Sequence, residues 1–513
     1  MYIKKDTSIY DSNSNYKNSF NKGNILKGKN FTIIKRFKLF PIHLSIALNL
    51  ILFAFLIGQF IYYDYQYQLT QINEELKNKI YDVSIQDILY YSPVVNKEIP
   101  LLWKHPIVSN INCYAILNED DIYIKNEAKN LRKLKNLQNT FPTSCHDIKR
   151  RGYYPDKPLS QEEADFPLAY VRTIYTDYLT LEYQFLLSYA PQNHYCFIID
   201  KKQSGDFHSK IFALSNCFKN VYIISNQYNM DSNGNDINHA NFRCMKYLNS
   251  KSYKYLIVLN NDDMPLKTNR EMIEILKIYN GTIDIDYDDP KPYLNGRIDL
   301  SLNWTLDHLN IFKKDDKRNL DKEILASEIK FQKGFVEIAY PKKTVDYLVN
   351  VLNITTFLNQ LNNMKLYAND EMSFQSLLSN KFLDIPGGID SECFEKDNIY
   401  HDTYMTRYTK WYNETNCDKN ETRHWICLQT IKTLSTIKKL PHFFVNKFKA
   451  ETDFGGLTCW AEYLYNRTYF QKYIPINAKF YENLPLVQYQ KLKSQIEDRK
   501  NLCDTVRNKY YSN

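Results

Sequence analysis

The chain has 513 residues, a net charge of +8, 44% hydrophobic and 24% charged residues, enough for a full core in roughly two to three domains or one large domain with appendages. Nine Lys and Arg against two Asp fall in residues 1–40, so the rest of the chain is close to neutral. A nucleic-acid binder concentrates positive charge in its folded domain, and this distribution excludes that class.

Residues 1–40, polar, basic and rich in Asn, Ser and Lys, read as a disordered cytosolic tail. Between Pro41 and Tyr63 no Asp, Glu, Lys or Arg occurs. Roughly 20 apolar residues cross a bilayer core, so 41–63 is expected to be one transmembrane helix, an uncleaved signal anchor without the short apolar run and cleavage site of a signal peptide. Lys35, Arg36 and Lys38 precede it, and Asp64, Glu74 and Glu75 follow it. The positive-inside rule then puts the N-terminus in the cytosol and the rest in the lumen or outside: a stem over 64–105 and a large domain over 106–513.

All ten cysteines follow the membrane segment. An even count on the non-cytosolic side favours disulfides, whose connectivity sequence leaves open. No pair has Cys-x-x-Cys spacing, which argues against zinc. Asn-x-Thr sequons at Asn280, Asn303, Asn353, Asn413, Asn420 and Asn466 lie on the same side and together fit a glycosylated secretory-pathway surface.

Strand–helix alternation begins near residue 194. His194–Asp200 is an apolar run ending in a carboxylate, and 207–217 has helical spacing; 220–225 and 238–249 repeat the pair. Tyr255–Leu259 is a third strand, ending at Asp262 and Asp263. A helix follows from Thr268, with Glu271 completing a capping box. Helices are expected again over 343–352 and 369–380, a turn at Pro386-Gly-Gly388, and a strand over 442–448. This alternation predicts an α/β fold, a mainly parallel sheet flanked by helices. In such sheets ligands bind beyond the carboxyl ends of the strands. Asp262 and Asp263 are therefore candidates for polar substrate contacts, the alternative being an ordinary acidic turn.

The wording Asp263-Met-Pro-Leu-Lys-Thr-Asn269 resembles the core-2/I-branching β-1,6-N-acetylglucosaminyltransferase family. Further blocks carry the resemblance across about 190–470: Tyr195-Cys-Phe-Ile-Ile-Asp200-Lys-Lys202, Ser215 to Ser225, Asn241-Phe-Arg-Cys244, Asn369-Asp370-Glu371 with Pro386-Gly-Gly beyond, and Pro441-His-Phe-Phe-Val-Asn-Lys447-Phe. It implies a Rossmann-like, GT-A nucleotide-sugar fold, a Golgi type II membrane topology and a metal-independent inverting reaction. It also implies that Glu371 is the catalytic base, Lys447 binds the departing diphosphate, and Asp200 and Asp263 line the donor pocket. The Lys partner is expected to be an Arg upstream of a Cys. Arg423 precedes Cys427 by one residue too many and His424 stands in the expected place, so both are candidates. From the residues alone, Asp370-Glu371 could simply complement a helix N-terminus.

Asp284, Asp286 and Asp288 resemble the Asp-x-Asp metal motif of other GT-A enzymes; lying past a helix rather than at a strand end, they read as a solvated acidic loop. Two stretches depart from the family: Asp231-Ser-Asn-Gly-Asn-Asp236 replaces a Tyr and a Trp of relatives, and Leu428-Gln-Thr-Ile431 replaces a Gly-rich turn. The expected reaction is transfer of N-acetylglucosamine from a UDP-sugar donor to a glycan or glycoprotein acceptor. Xylosyl or glucuronosyl transfer is the nearest enzymatic alternative, and an inactive lumenal scaffold of the same fold the alternative from another class.

Overall fold

The computed structural model describes residues 99–134, 141–394, 399–412, 417 and 421–512. The tail, the 41–63 segment, nearly all of the stem and the sequons at Asn413 and Asn420 lie outside these residues. Among the described residues no helix is long and apolar enough to cross a membrane.

The central sheet has the order β3-β2-β1-β4-β6, with β1 Leu168–Ile174, β2 His194–Ile199, β3 Val221–Ile224, β4 Tyr255–Leu259 and β6 Ala339–Pro341. The first four are parallel and β6 is antiparallel to β4, giving a mixed α/β fold with a parallel-rich sheet. The short β5 (Met264–Pro265) starts a second sheet with β7 (Arg407–Thr409) and β10 (Phe444–Asn446), and β8 (Thr422–Arg423) pairs with β9 (Ile426–Cys427).

The middle strand, β1, precedes the alternation legible in the sequence. All seven of its residues are buried, but Arg172 interrupts the apolar run and hides the strand signal. The Arg172 guanidinium donates to the backbone oxygens of Asn260 at 2.6 Å and Asp263 at 3.0 Å. Those bonds satisfy a charge that would otherwise cost several kcal/mol to bury.

Both faces of the sheet are covered. Val171, Cys196, Ile198 and Val258 face one way, toward α3 (Ile237–Leu248) and the 283–400 region. Tyr170, Tyr195, Phe197 and Ile257 face the other, toward α1 (Tyr178–Ser188), α2 (Gly205–Cys217) and α4 (Asn269–Tyr279). This period-2 split of apolar side chains is what a doubly covered parallel sheet requires. The expected capping box is present at Thr268 and Glu271. The helix expected over 369–380 is instead a 3-10 turn, Asn369–Met372, and a short helix, Phe374–Leu378, separated at Ser373.

All ten cysteines are paired: 113–459, 145–217, 196–244, 393–503 and 417–427. Cys196–Cys244 joins β2 to α3 inside the core. Cys113–Cys459 ties the first described segment to the long helix α7 (Ala450–Tyr469; α5 is Lys342–Asn350 and α6 Phe374–Leu378).

Asp284 and Asp286 correct the expectation of a solvated loop. Each is 1% exposed. Asp284 accepts from Thr406 Oγ1 at 2.6 Å, Met405 N at 3.0 Å and Tyr279 Oη at 2.9 Å; burial pushes its carboxyl up to about 6. Asp286 pairs with His401 Nδ1 at 2.7 Å and accepts from Phe335 N at 3.1 Å. Asp288, at the surface end, pairs with Lys333 at 2.7 Å. The three carboxylates stitch separate loops onto the sheet, because buried charges persist only where such partners meet them.

Candidate active site

β1, β2 and β4 are parallel, so their carboxyl ends open on one edge of the sheet. There stand Tyr175 after β1, Asp200 after β2 and Asn260–Asp263 after β4. Asp200 is 3% exposed, pairs with Lys202 at 3.0 Å, and its amide donates to Ile174 O at 3.0 Å. It lies at the mouth of the sheet, where a nucleotide-pocket residue is expected.

Pairing of β5 with β10, and of β10 with β7, carries residues far along the chain to the Asp262-Asp263 turn. Asp262 forms an ion pair with Lys449 at 3.2 Å, both side chains being almost wholly buried, and Asn261 Nδ2 donates to the same carboxylate at 2.9 Å. Lys447 is 8% exposed, and its ammonium makes no hydrogen bond or ion pair among the described residues. Its ammonium is brought down to about 8 by burial first; Asp262 opposes this, and Lys449, Arg407 and Arg423 add to it. A buried cation with no ion pair of its own, beside one carboxylate and three further cations, favours an added anion.

Arg423 and His424 reach the same cluster from the β8–β9 hairpin. His424 and Trp425 form its two-residue turn, both in the left-handed region with φ of 51° and 64°, the geometry tight hairpins use. The His424 imidazole is held below its usual range by burial, then by Lys447 and Arg423. Both candidates from the ambiguous register therefore lie in the field of Lys447. Leu428–Ile431 runs beside this cluster: Gln429 N donates to Lys447 O at 2.9 Å.

Asp263, expected in the donor pocket, is 0% exposed. Its carboxylate accepts from Asn260 N at 2.6 Å and Asn446 Nδ2 at 2.7 Å, with Arg407 at 3.8 Å. Those partners leave it no face toward a ligand, and it acts as an internal brace between β4 and β10. Glu337, buried next to it, pairs with Arg407 at 2.6 Å; burial pushes its carboxyl up while Arg407 holds it down.

Glu371 lies in the 369–372 turn, with its side chain 29% exposed and ion-paired to Arg297. Arg297 also donates to Ala368 O at 3.1 Å, which sets the turn and the carboxylate together. Glu371 acts electrostatically on both Glu337 and Arg407, and Arg407 acts on Lys447. Arg407, ion-paired to Glu337, is thus within electrostatic reach of both Glu371 and Lys447. Asp370 is 8% exposed; burial, then its neighbour Glu371, pushes its carboxyl up to about 7.

The loop 231–236 packs under that turn. Ala368 N donates to Asn233 O at 2.6 Å, and Ser373 Oγ donates to Asn238 Oδ1 at 2.7 Å. Arg172, Arg297, Glu337, Arg407 and Lys449 were not legible as site residues. Lys449 alone had a local signal, its place two residues after Lys447. Among the described residues no group of three His, Cys, Asp or Glu is arranged to hold a metal ion.

Residues 168–438 match the family model described as Branch: Core-2/I-Branching enzyme. The beta-1,3-galactosyl-O-glycosyl-glycoprotein beta-1,6-N-acetylglucosaminyltransferase 3 of Mus musculus is 25% identical over 389 residues, covering 72% of this chain and 85% of the relative. The N-acetyllactosaminide beta-1,6-N-acetylglucosaminyl-transferase of Homo sapiens is 28% identical over 316 residues, covering 60% and 75%. A Bovine herpesvirus 4 beta-1,3-galactosyl-O-glycosyl-glycoprotein beta-1,6-N-acetylglucosaminyltransferase is 26% identical over 388 residues, covering 72% and 85%.

Proposed function

Because the chain belongs to the Core-2/I-branching enzyme family and is a glycosyltransferase, we propose that it moves N-acetylglucosamine from UDP-N-acetylglucosamine to a hydroxyl of a glycan acceptor, by single displacement with inversion. The relatives' β-1,6-N-acetylglucosaminyl chemistry supports the donor and a 1,6 linkage. In this reading Glu371, oriented by Arg297, takes the acceptor proton as the new C1–O bond forms. The bond from C1 to the diphosphate breaks, and Lys447 with Arg423 or His424 stabilises the charge on departing UDP. General-base catalysis and preorganised charge are the two devices such a displacement needs. Asp200 would face the nucleoside.

The observation that supports this reading best is a buried Lys447 whose ammonium has no ion pair among the described residues, with Glu371 held by Arg297 and Arg407 within electrostatic reach of both. The basic tail before residues 41–63, and the disulfides and sequons after them, support a Golgi type II anchor with the catalytic domain lumenal.

The test is to offer the purified protein a panel of UDP-sugars, with and without chelator, and detect released UDP and glycosylated acceptor. Turnover with UDP-N-acetylglucosamine in chelator is expected. Turnover with UDP-xylose or UDP-glucuronate instead would reassign the donor, and transfer from none of them would replace the enzyme with a scaffold.

A further inference from the structure

Away from these residues, a cavity of about 360 Å³ opens between the first described segment and α7, lined among others by Tyr114, Asn118, Glu462, Tyr463, Asn466 and Gln471. None of its lining residues belongs to the candidate active site. Asn466 begins the sequon Asn466-Arg467-Thr468, so one wall of the cavity carries a glycosylation acceptor. We propose that the cavity is a saccharide cradle whose occupant is the core N-acetylglucosamine of this chain's own glycan at Asn466.

Its lining has the chemistry that recognises an N-acetylhexosamine. A pyranose ring offers an apolar face and a rim of hydroxyl and acetamide groups. Tyr463 packs on Trp460 with ring centroids 5.2 Å apart and has Lys438 and Arg467 over its ring at 5.6 and 5.4 Å, so it forms the wall; Tyr114, 79% exposed at the rim, supplies aromatic surface with a polar tip. The side-chain amides of Asn118 and Gln471 make no hydrogen bond within the described residues, leaving donors and acceptors for a ligand. Lys104 and Glu462 pair at 2.7 Å across the same lining. The floor is stiff: the Cys113–Cys459 disulfide joins the segment to α7, and the last turn of α7 is closed by Phe470 and Gln471 amides donating to Asn466 O at 2.8 and 2.9 Å.

The volume falls in the range of small-molecule sites. A cavity this polar would hold a free sugar weakly. A tethered one binds intramolecularly at an effective concentration in the mM range or above, so weak contacts suffice. That favours the chain's own glycan over a passing one.

The inference rests on the lumenal topology proposed above, and the test separates the two. Full-length protein from a glycosylating host is digested under native conditions with the amidase that cleaves the Asn–N-acetylglucosamine bond, and occupancy at each sequon is followed by mass spectrometry. Release at Asn466 is expected to be on the order of tenfold slower than at exposed Asn303, the factor given by about 1.4 kcal/mol of holding free energy. Denaturation should equalise the two. Tyr114→Ala, at an exposed position whose truncation leaves the core intact, should bring native release at Asn466 up to the Asn303 rate. Equal native rates in the unaltered protein, or an empty Asn466 beside an occupied Asn303, would overturn the cradle alone. Absence of glycan from every sequon would overturn the lumenal topology and the cradle with it.

Discussion

Gly234 and Asp370 are packed backbone to carboxylate. Gly234 has φ +92°, a conformation that side chains rarely adopt, and a Cβ there would collide with Asp370 Oδ1. The 231–236 loop is therefore built around the residue next to the candidate base. Gly234→Ala combines positive φ, costing about 1–2 kcal/mol, with a displaced Asp370-Glu371 turn. Misplacing a catalytic group by about 1 Å can cost on the order of 10² in rate, so kcat is expected to fall by that order with a drop in Tm of only a few degrees. Steady-state kinetics and a thermal melt check it; unchanged kcat would uncouple the loop from the base.

Glu371→Gln is expected to lower turnover by about 10²–10⁴, the range for losing a general base, with little change in donor binding or Tm. Asp370→Asn is the control. Its carboxyl is pushed up to about 7 by burial, so a neutral amide mimics the form already half populated near neutrality, and little loss is expected. If Asp370→Asn abolishes turnover while Glu371→Gln retains it, the base is Asp370.

Lys447→Ala should lower the rate by about 10²–10³, the scale of one preorganised electrostatic donor, whether or not chelator is present. Because burial brings the Lys447 ammonium down to about 8, and kcat/KM reports free-enzyme groups, kcat/KM should decline as pH rises through about 8. A profile flat to pH 9.5, or rescue of chelated enzyme by Mn²⁺, would remove Lys447 from the leaving-group role.

The His401–Asp286 pair predicts a stability profile. Burial pushes the Asp286 carboxyl up and its bond to His401 opposes that; the imidazole, raised to about 9 mainly by that bond, carries the titration. A raised histidine stabilises fully below its unfolded value near 6.5 and loses the contribution as pH rises through its folded value. The Tm gap between the unaltered protein and His401→Asn should therefore be constant below about pH 6.5 and close as pH passes about 9. A gap that widens with pH would show that the ring is held neutral.

Cys196→Ala with Cys244→Ala removes a disulfide spanning 48 residues. Closing loops of this length stabilises by about 3–4 kcal/mol in the chain-entropy treatment, so chemical unfolding should show a loss of that order, with donor binding preserved in the folded fraction. No loss would mean the sheet–helix packing alone holds this junction.

Much of the fold was legible along the chain. The strands at 194, 221 and 255, the helices after them and the Thr268–Glu271 capping box all rest on periodicity or on contacts within a turn, which sequence displays directly. β1 was not, because its buried Arg172 reads as polar until its acceptors on the β4 loop are known. The helix expected over 369–380 breaks for a related reason: Ser373, which separates the two turns, donates its hydroxyl to Asn238 Oδ1 at 2.7 Å, a contact no helical pattern contains.

The sequence by itself determined the family, the α/β class, the charge asymmetry about residues 41–63, and Glu371 and Lys447 as the residues to weigh. Only the tertiary structure decided which cysteines pair, that Asp263 braces rather than lines the pocket, that Asp284 and Asp286 are interior, and that Arg297 and Arg407 stand with Glu371. Arg407 and Asp263 are 144 residues apart, and Lys449 and Asp262 187 apart. Periodicity, caps and turns are properties of neighbours in the chain. Burial and charge pairing belong to residues brought together by packing, whose separations no local pattern encodes.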